Sequence, residues 1–158
     1  RWGEPRFTRD VDVTLLCPYG AEQQAVNPLL AAFASRVPEA SAFATKHRVV
    51  LLNSGKGIPI DVALGGIAFE ERCVTRATEF DFGEVRLLTC SAEDLVVLKA
   101  FAGRPQDWVD IESVAVRQHQ RLDWKLVFEE FEPLAAVRNV PGLLDRLRQL
   151  RNNVSQED

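Results

Sequence analysis

The 158-residue chain is predicted to be an α+β protein, with a mixed sheet in its first half flanked by helices and a helical C-terminal half. Three observations predict this. Alternation with period two runs through "RFTRDVDVTLL" at residues 6–16 and recurs in "RVVLLN" and "IPIDVAL". From Ser91 onward the apolar residues recur with helical spacing instead. The order is strand, helix, several strands and then helices, which sorts strands and helices into separate stretches of the chain. A hydrophobic content of 46% supports a core without disulfides. One domain is expected over residues 1–152, with strands mainly in 7–89, helices mainly in 91–152, and residues 153–158 as a disordered tail.

The first strand ends at "CPYG", where Pro18 and Gly20 break the pattern. "EQQAVNPLLAAFASRV" then reads as one helix, with Leu29, Leu30, Phe33 and Val37 as its apolar stripe. "RVVLLN" and "IPIDVAL" follow as strands joined by "SGKG", a hairpin turn in which Gly55 and Gly57 are available for positive φ. The spacing of a P-loop is absent, so Gly-Lys-Gly is read as a turn. Gly65 and Gly66 end the second strand. "AFEERCVTRA" is a short helix or turn, and "EVRLLTC" is a further strand. "SAEDLVVLKAFAGRP" opens with Ser91 and Asp94 as a capping pair and stops at Gly103 before Pro105. "QDWVDIESVAVRQHQ", "DWKLVFEEFEPLAAV" and "PGLLDRLRQLR" complete the helical half.

Composition excludes several classes. Cys17, Cys73 and Cys90 are odd in number and widely spaced, so they indicate neither a disulfide framework nor a C-x-x-C metal site, and a reducing cytoplasm is expected. No apolar run approaches a membrane span, and the opening "RWGEPRFTRD" is no signal peptide. A net charge of -4 argues against a broad nucleic-acid coat. The basic stretches at Lys46 to Arg48, around Arg72 and Arg76, and in "DRLRQLR" read as solvated faces. His47 and His119 have no ligand partner at metal spacing, and Trp108 and Trp124 suit helix packing better than base stacking.

The acidic residues carry the chemistry. Thr8, Asp10, Asp12 and Thr14 share one face of the first strand, so two carboxylates point the same way. Like charges on one face repel unless a cation sits between them. A divalent metal and a solvated edge strand are the two readings open at this point. Asp61 faces away from Ile58, Ile60, Val62 and Leu64 and has apolar neighbours on both sides, which makes it costly to bury unless it is paired or binds a metal. If its strand lies beside the first, three carboxylates converge on a two-metal site suited to phosphoryl or nucleotidyl transfer. Two Mg²⁺ ions suit such hard oxygen ligands. The alternative for Asp61 is a turn residue at an exposed edge.

The run "WGEPRFTRDVDV", then "IPIDVALGG", "FEER" and "SAEDLVVLKAFAGRPQDWVDIE", resembles the nucleotidyltransferase superfamily with a DNA polymerase β-like fold. More narrowly it resembles the AbiEii-type toxin nucleotidyltransferases and their minimal relatives, over about residues 2–120. The resemblance implies that Asp10 and Asp12 bind magnesium and the nucleoside triphosphate, and that Asp61 completes the metal site and helps activate the acceptor hydroxyl. It also implies that Lys99 contacts the triphosphate and that Arg6 is a nucleotide or structural partner.

Read from its own surroundings, Lys99 interrupts an apolar helix and needs either an anion or a route to solvent. Asp107 suits a helix cap, and Asp110 suits pairing with Arg104 or Lys99, which makes it a residue that orients Lys99. The family's first motif, a Gly-Ser or Gly-Gly pair at a helix start that grips the triphosphate, falls upstream of Arg1. The chain contains no methionine, and it is expected either to continue before Arg1 or to have lost that grip.

The implied function is a cytoplasmic, magnesium-dependent nucleotidyltransferase that moves a nucleoside monophosphate to a hydroxyl acceptor of unknown identity (RNA, protein or small molecule). Its partners would include the nucleoside triphosphate and an antitoxin protein. The alternatives are a non-catalytic interaction module on the same fold and a metal-dependent nuclease.

Overall fold

In the computed structural model, residues 1–5, 8 and 10–154 are described. Among them the chain divides into two compact units, Phe7–Thr75 and the combination of Arg1–Arg6 with Arg76–Asp158.

The first unit is built on a four-stranded sheet. Its strands are β1 (Val11–Leu16), β2 (Ala34–Ser35), β3 (Val49–Asn53) and β4 (Pro59–Gly65), in the order β1-β4-β3-β2. β1 pairs parallel to β4, whereas β3 runs antiparallel to both β4 and β2. The β3–β4 turn closes with Gly57 N–H donating to Ser54 C=O at 2.9 Å. Of its two glycines, Gly57 has positive φ, at 75°.

Helices α1 (Glu22–Ala32) and α2 (Ala40–His47) contribute Val26 and Ala44 to a core with Cys17, Val50, Leu52, Val62 and Leu64. Val62 and Leu64 alternate with Asp61 and Ala63 along β4, so the core takes one face of the sheet and the acidic residue takes the other. Helix α3 (Ala68–Arg76) follows Gly65 and Gly66.

One sequence expectation needs correction here, and two elements had no counterpart in the sequence reading. The helix expected to run to Val37 ends at Ala32, and Phe33 is extended at φ −131° and ψ 147°. Ala34 and Ser35 pair with Asn53 and Leu52 of β3, so hydrogen bonding to a neighbouring strand overrides the helical pattern. Val37 also precedes Pro38, which disfavours helical backbone there. Helix α2 had no sequence signal. Strand β5 (Thr78–Asp81) had none either, and it pairs antiparallel with β6 (Arg86–Thr89), the strand read in "EVRLLTC".

The second unit holds that hairpin and helices α4 (Ala92–Ala102), α5 (Pro105–Gln118), α6 (Trp124–Arg138) and α7 (Leu143–Val154). The predicted start of α4 is present. Ser91 Oγ accepts from Asp94 N–H at 3.0 Å, and Gly103 ends the helix at φ 66°. Val96, Val97, Ile111, Val127, Phe131 and Leu147 form its buried centre, and Trp108 packs within it at 3% exposure. The N-terminal segment is tied to this unit, because Trp2 Nε1–H donates to Cys90 C=O at 2.8 Å and Glu4 N–H donates to Ser113 Oγ at 2.6 Å. α7 continues to Val154, so residues 153 and 154, expected in the tail, are helical, and residues 155–158 lie outside the described residues. No helix among the described residues is long and apolar enough to cross a membrane.

Candidate active site

The acidic face is assembled by strand register. Asp12 of β1 lies directly opposite Asp61 of β4, and in-register neighbours on adjacent strands project to the same side of a sheet. On the other flank Asp61 is paired with Leu51 of β3. Asp61 therefore sits in an interior strand and is not a turn residue at an edge. β1 is an edge strand, exposed along its whole length, so Asp12 faces solvent. Asp10 is exposed and precedes the first residue of β1.

Among the described residues, no three His, Cys, Asp or Glu side chains are placed to hold a metal ion. The cation beside Asp61 is instead a guanidinium, since Arg36 Nη2–H donates to Asp61 Oδ1. Arg36 lies one residue past β2, and its backbone N–H donates to Leu51 C=O at 2.9 Å. Sequence reading missed this residue because the contact spans 25 positions and the segment was read as helix. Asp12 and Asp61 supply hard carboxylate oxygens on one accessible face, and Asp61 already binds a positive group. This donor set fits a divalent cation such as Mg²⁺.

Where β1 and β4 end, a cleft of roughly 580 Å³ opens among Leu16, Cys17, Tyr19, Gly65, Gly66 and Glu71. Its wall is fixed by Arg48, whose backbone is left-handed at φ 53°. The Arg48 guanidinium donates to Leu64 C=O at 3.0 Å and to Cys17 C=O and Glu22 Oε1, each at 2.5 Å, and stacks 4.0 Å from the Tyr19 ring. Glu22 is held below the usual carboxylate range by its own backbone N–H and that of Gly20, with Arg48 adding to the effect against the cost of burial.

Gly66 has no room for a side chain, because a Cβ there would lie 2.8 Å from Arg48 Nη2. The Gly66 and Ile67 N–H groups donate to Glu70 Oε2 at 2.7 and 3.0 Å. The start of α3 is therefore capped by its own glutamate, in the manner of a capping box.

In the helical unit, Lys99 Nζ lies 2.6 Å from Asp110 Oδ2 and 3.5 Å from Asp107 Oδ1. Of the two partners expected for Asp110, Lys99 is therefore one that it meets. Asp107 caps α5 by accepting from Arg104 N–H at 3.0 Å and Arg104 Nε–H at 2.7 Å. Burial pushes the Asp107 carboxyl up, but the Arg104 guanidinium and backbone N–H, with Lys99, outweigh it and hold the group below its ordinary value.

Two basic residues expected on solvated faces prove to be anchors. Arg48 is the clamp described above. Arg76, itself part of the helical unit, donates to Asp94 of α4 and Glu130 of α6, both buried. Arg6 lies outside the described residues.

Residues 4–139 match the sequence profile of a family described as "Nucleotidyltransferase of unknown function (DUF6036)". No match was found among curated proteins.

Proposed function

We propose, from the premise that the chain belongs to this nucleotidyltransferase family, that it moves a nucleoside monophosphate from a nucleoside triphosphate to a hydroxyl acceptor with magnesium bound at its acidic face. The observation that carries the proposal is the register of Asp12 against Asp61 on adjacent strands. Asp12 and Asp61 would hold the metal together with Asp10, which stands two residues before Asp12. Bound magnesium would supply Lewis-acid activation of the attacking oxygen and charge neutralisation on the phosphates.

Asp61 would accept the acceptor's proton as the new P–O bond forms and pyrophosphate leaves. For Lys99, Asp110 and Arg6, the nucleotide-binding roles rest on the sequence resemblance, as do the AbiEii-type toxin role, an antitoxin partner and a cytoplasmic location.

The test is calorimetric titration of ATP, CTP, GTP and UTP into the chain with Mg²⁺, repeated on a variant with Asp10→Ala and Asp12→Ala together. Metal-dependent binding that the double variant loses supports the transferase. A folded chain that binds no triphosphate sinks it. That outcome would favour the second reading, a non-catalytic interaction module, which draws its support from the Arg36 ion pair on Asp61.

A further inference from the structure

We infer that Arg36 is a positioning residue of the acidic face: it holds the Asp61 carboxylate while no metal is bound, and it passes to the triphosphate when a divalent cation takes that carboxylate. The inference rests on the metal-binding reading proposed above.

Its support is geometric. The Arg36 backbone is tethered to Leu51 C=O at 2.9 Å, and Leu51 is the register partner of Asp61 on β3. The arginine is thereby anchored beside Asp61 whatever its side chain does. A single guanidinium nitrogen, Nη2, makes the contact to Oδ1, one carboxylate oxygen. The Arg36 and Asp61 side chains are 28% and 37% exposed, so water and ions reach the pair.

An ion pair that open to water is weak, and a divalent cation with a second carboxylate in register can displace it. The displaced guanidinium stays tethered at the site, and its planar fork matches the geometry of phosphate oxygens. Competition for Asp61 weakens metal binding, whereas the released cation strengthens triphosphate binding. Loss of Arg36 therefore has effects of opposite sign on the two ligands. A merely structural residue would weaken both.

The experiment measures Mn²⁺ binding by electron paramagnetic resonance, and Mg²⁺-dependent triphosphate binding by calorimetry. It compares the native chain with Arg36→Ala, Arg36→Gln and Asp12→Asn, with urea denaturation to confirm that each is folded. For both Arg36 variants we expect Mn²⁺ binding about two- to fivefold tighter, the range of a solvent-accessible ion pair. The triphosphate that the native chain binds most tightly should bind them about tenfold or more weakly, as for a charge-assisted hydrogen bond.

Unchanged or weaker Mn²⁺ binding in both Arg36 variants, alongside native binding that Asp12→Asn loses, overturns this inference and leaves the metal reading standing. Tighter Mn²⁺ binding with unchanged triphosphate affinity overturns the transfer to phosphate. Absence of Mn²⁺ binding in the native chain, or Mn²⁺ binding that Asp12→Asn leaves intact, overturns the metal reading and this inference with it.

Discussion

Arg76 grips Asp94 with two parallel hydrogen bonds, Nη2–H to Oδ1 at 2.5 Å and Nε–H to Oδ2 at 3.1 Å, and the Asp94 side chain is almost wholly removed from solvent. The remaining edge of the guanidinium donates to Glu130 Oε1 at 2.8 Å. One cation thus serves two buried carboxylates. The hydrogen bond from Arg76 to Asp94 is the main reason its guanidinium binds its proton more tightly than usual.

Removing that cation takes the guanidinium from two buried carboxylates at once. Arg76→Ala is expected to cost about 3–5 kcal/mol of stability, the range for breaking a buried pair from one side. Arg76→Lys keeps the charge without the fork and should lose less. Urea denaturation of the two variants at neutral pH checks the order and the size.

Lys99 and Asp110 form a second enclosed pair, with side chains 19% and 11% exposed. A double-mutant cycle on Lys99→Met and Asp110→Asn should return a coupling of about 0.5–3 kcal/mol. Because Lys99 also lies near Asp107, Lys99→Met is expected to cost more than Asp110→Asn. Equal and additive losses would show that the contact carries no energy.

Asp107 gives stability a defined dependence on pH. Its folded-state value is depressed below the ordinary 3.8, so its contribution is present in full above that value and is lost as pH falls through the folded one. Asp107→Asn removes the titration. Between pH 5 and 3, the urea midpoint of the native chain should therefore fall further than that of the variant.

Gly66 and Gly55 separate packing from chain entropy. Gly66→Ala places a Cβ 2.8 Å from Arg48 Nη2 and 3.2 Å from both Cys17 C=O and Tyr19, and should cost about 1–3 kcal/mol. A Cβ at Gly55 meets nothing within 4 Å, so Gly55→Ala should be neutral or stabilising by up to about 1 kcal/mol. Thermal denaturation of the two variants shows whether the Arg48 clamp carries the difference.

The readable parts of the fold were those with a strong local cause. Ser91 and Gly103 bound α4 because a side-chain cap and a left-handed glycine act within a few residues. The missed parts had non-local causes. Ala34 and Ser35 are a strand because β3 lies beside them, and β5 exists through its pairing with β6. The same holds for Arg36, Arg48 and Arg76, whose carboxylate partners stand 25, 26, 18 and 54 positions away.

The sequence by itself determined the α+β class, the alternation that sets Asp12 and Asp61 opposite the apolar positions of their strands, and the match to a nucleotidyltransferase family. All three follow from residue order and short-range periodicity. Only the tertiary structure decided that β4 lies parallel to β1 with Asp61 in register against Asp12, and that Arg36 is the cation on Asp61. Strand neighbours and ion-pair partners are chosen by which surfaces pack and which charges need compensation, and those choices join residues that the chain itself keeps far apart.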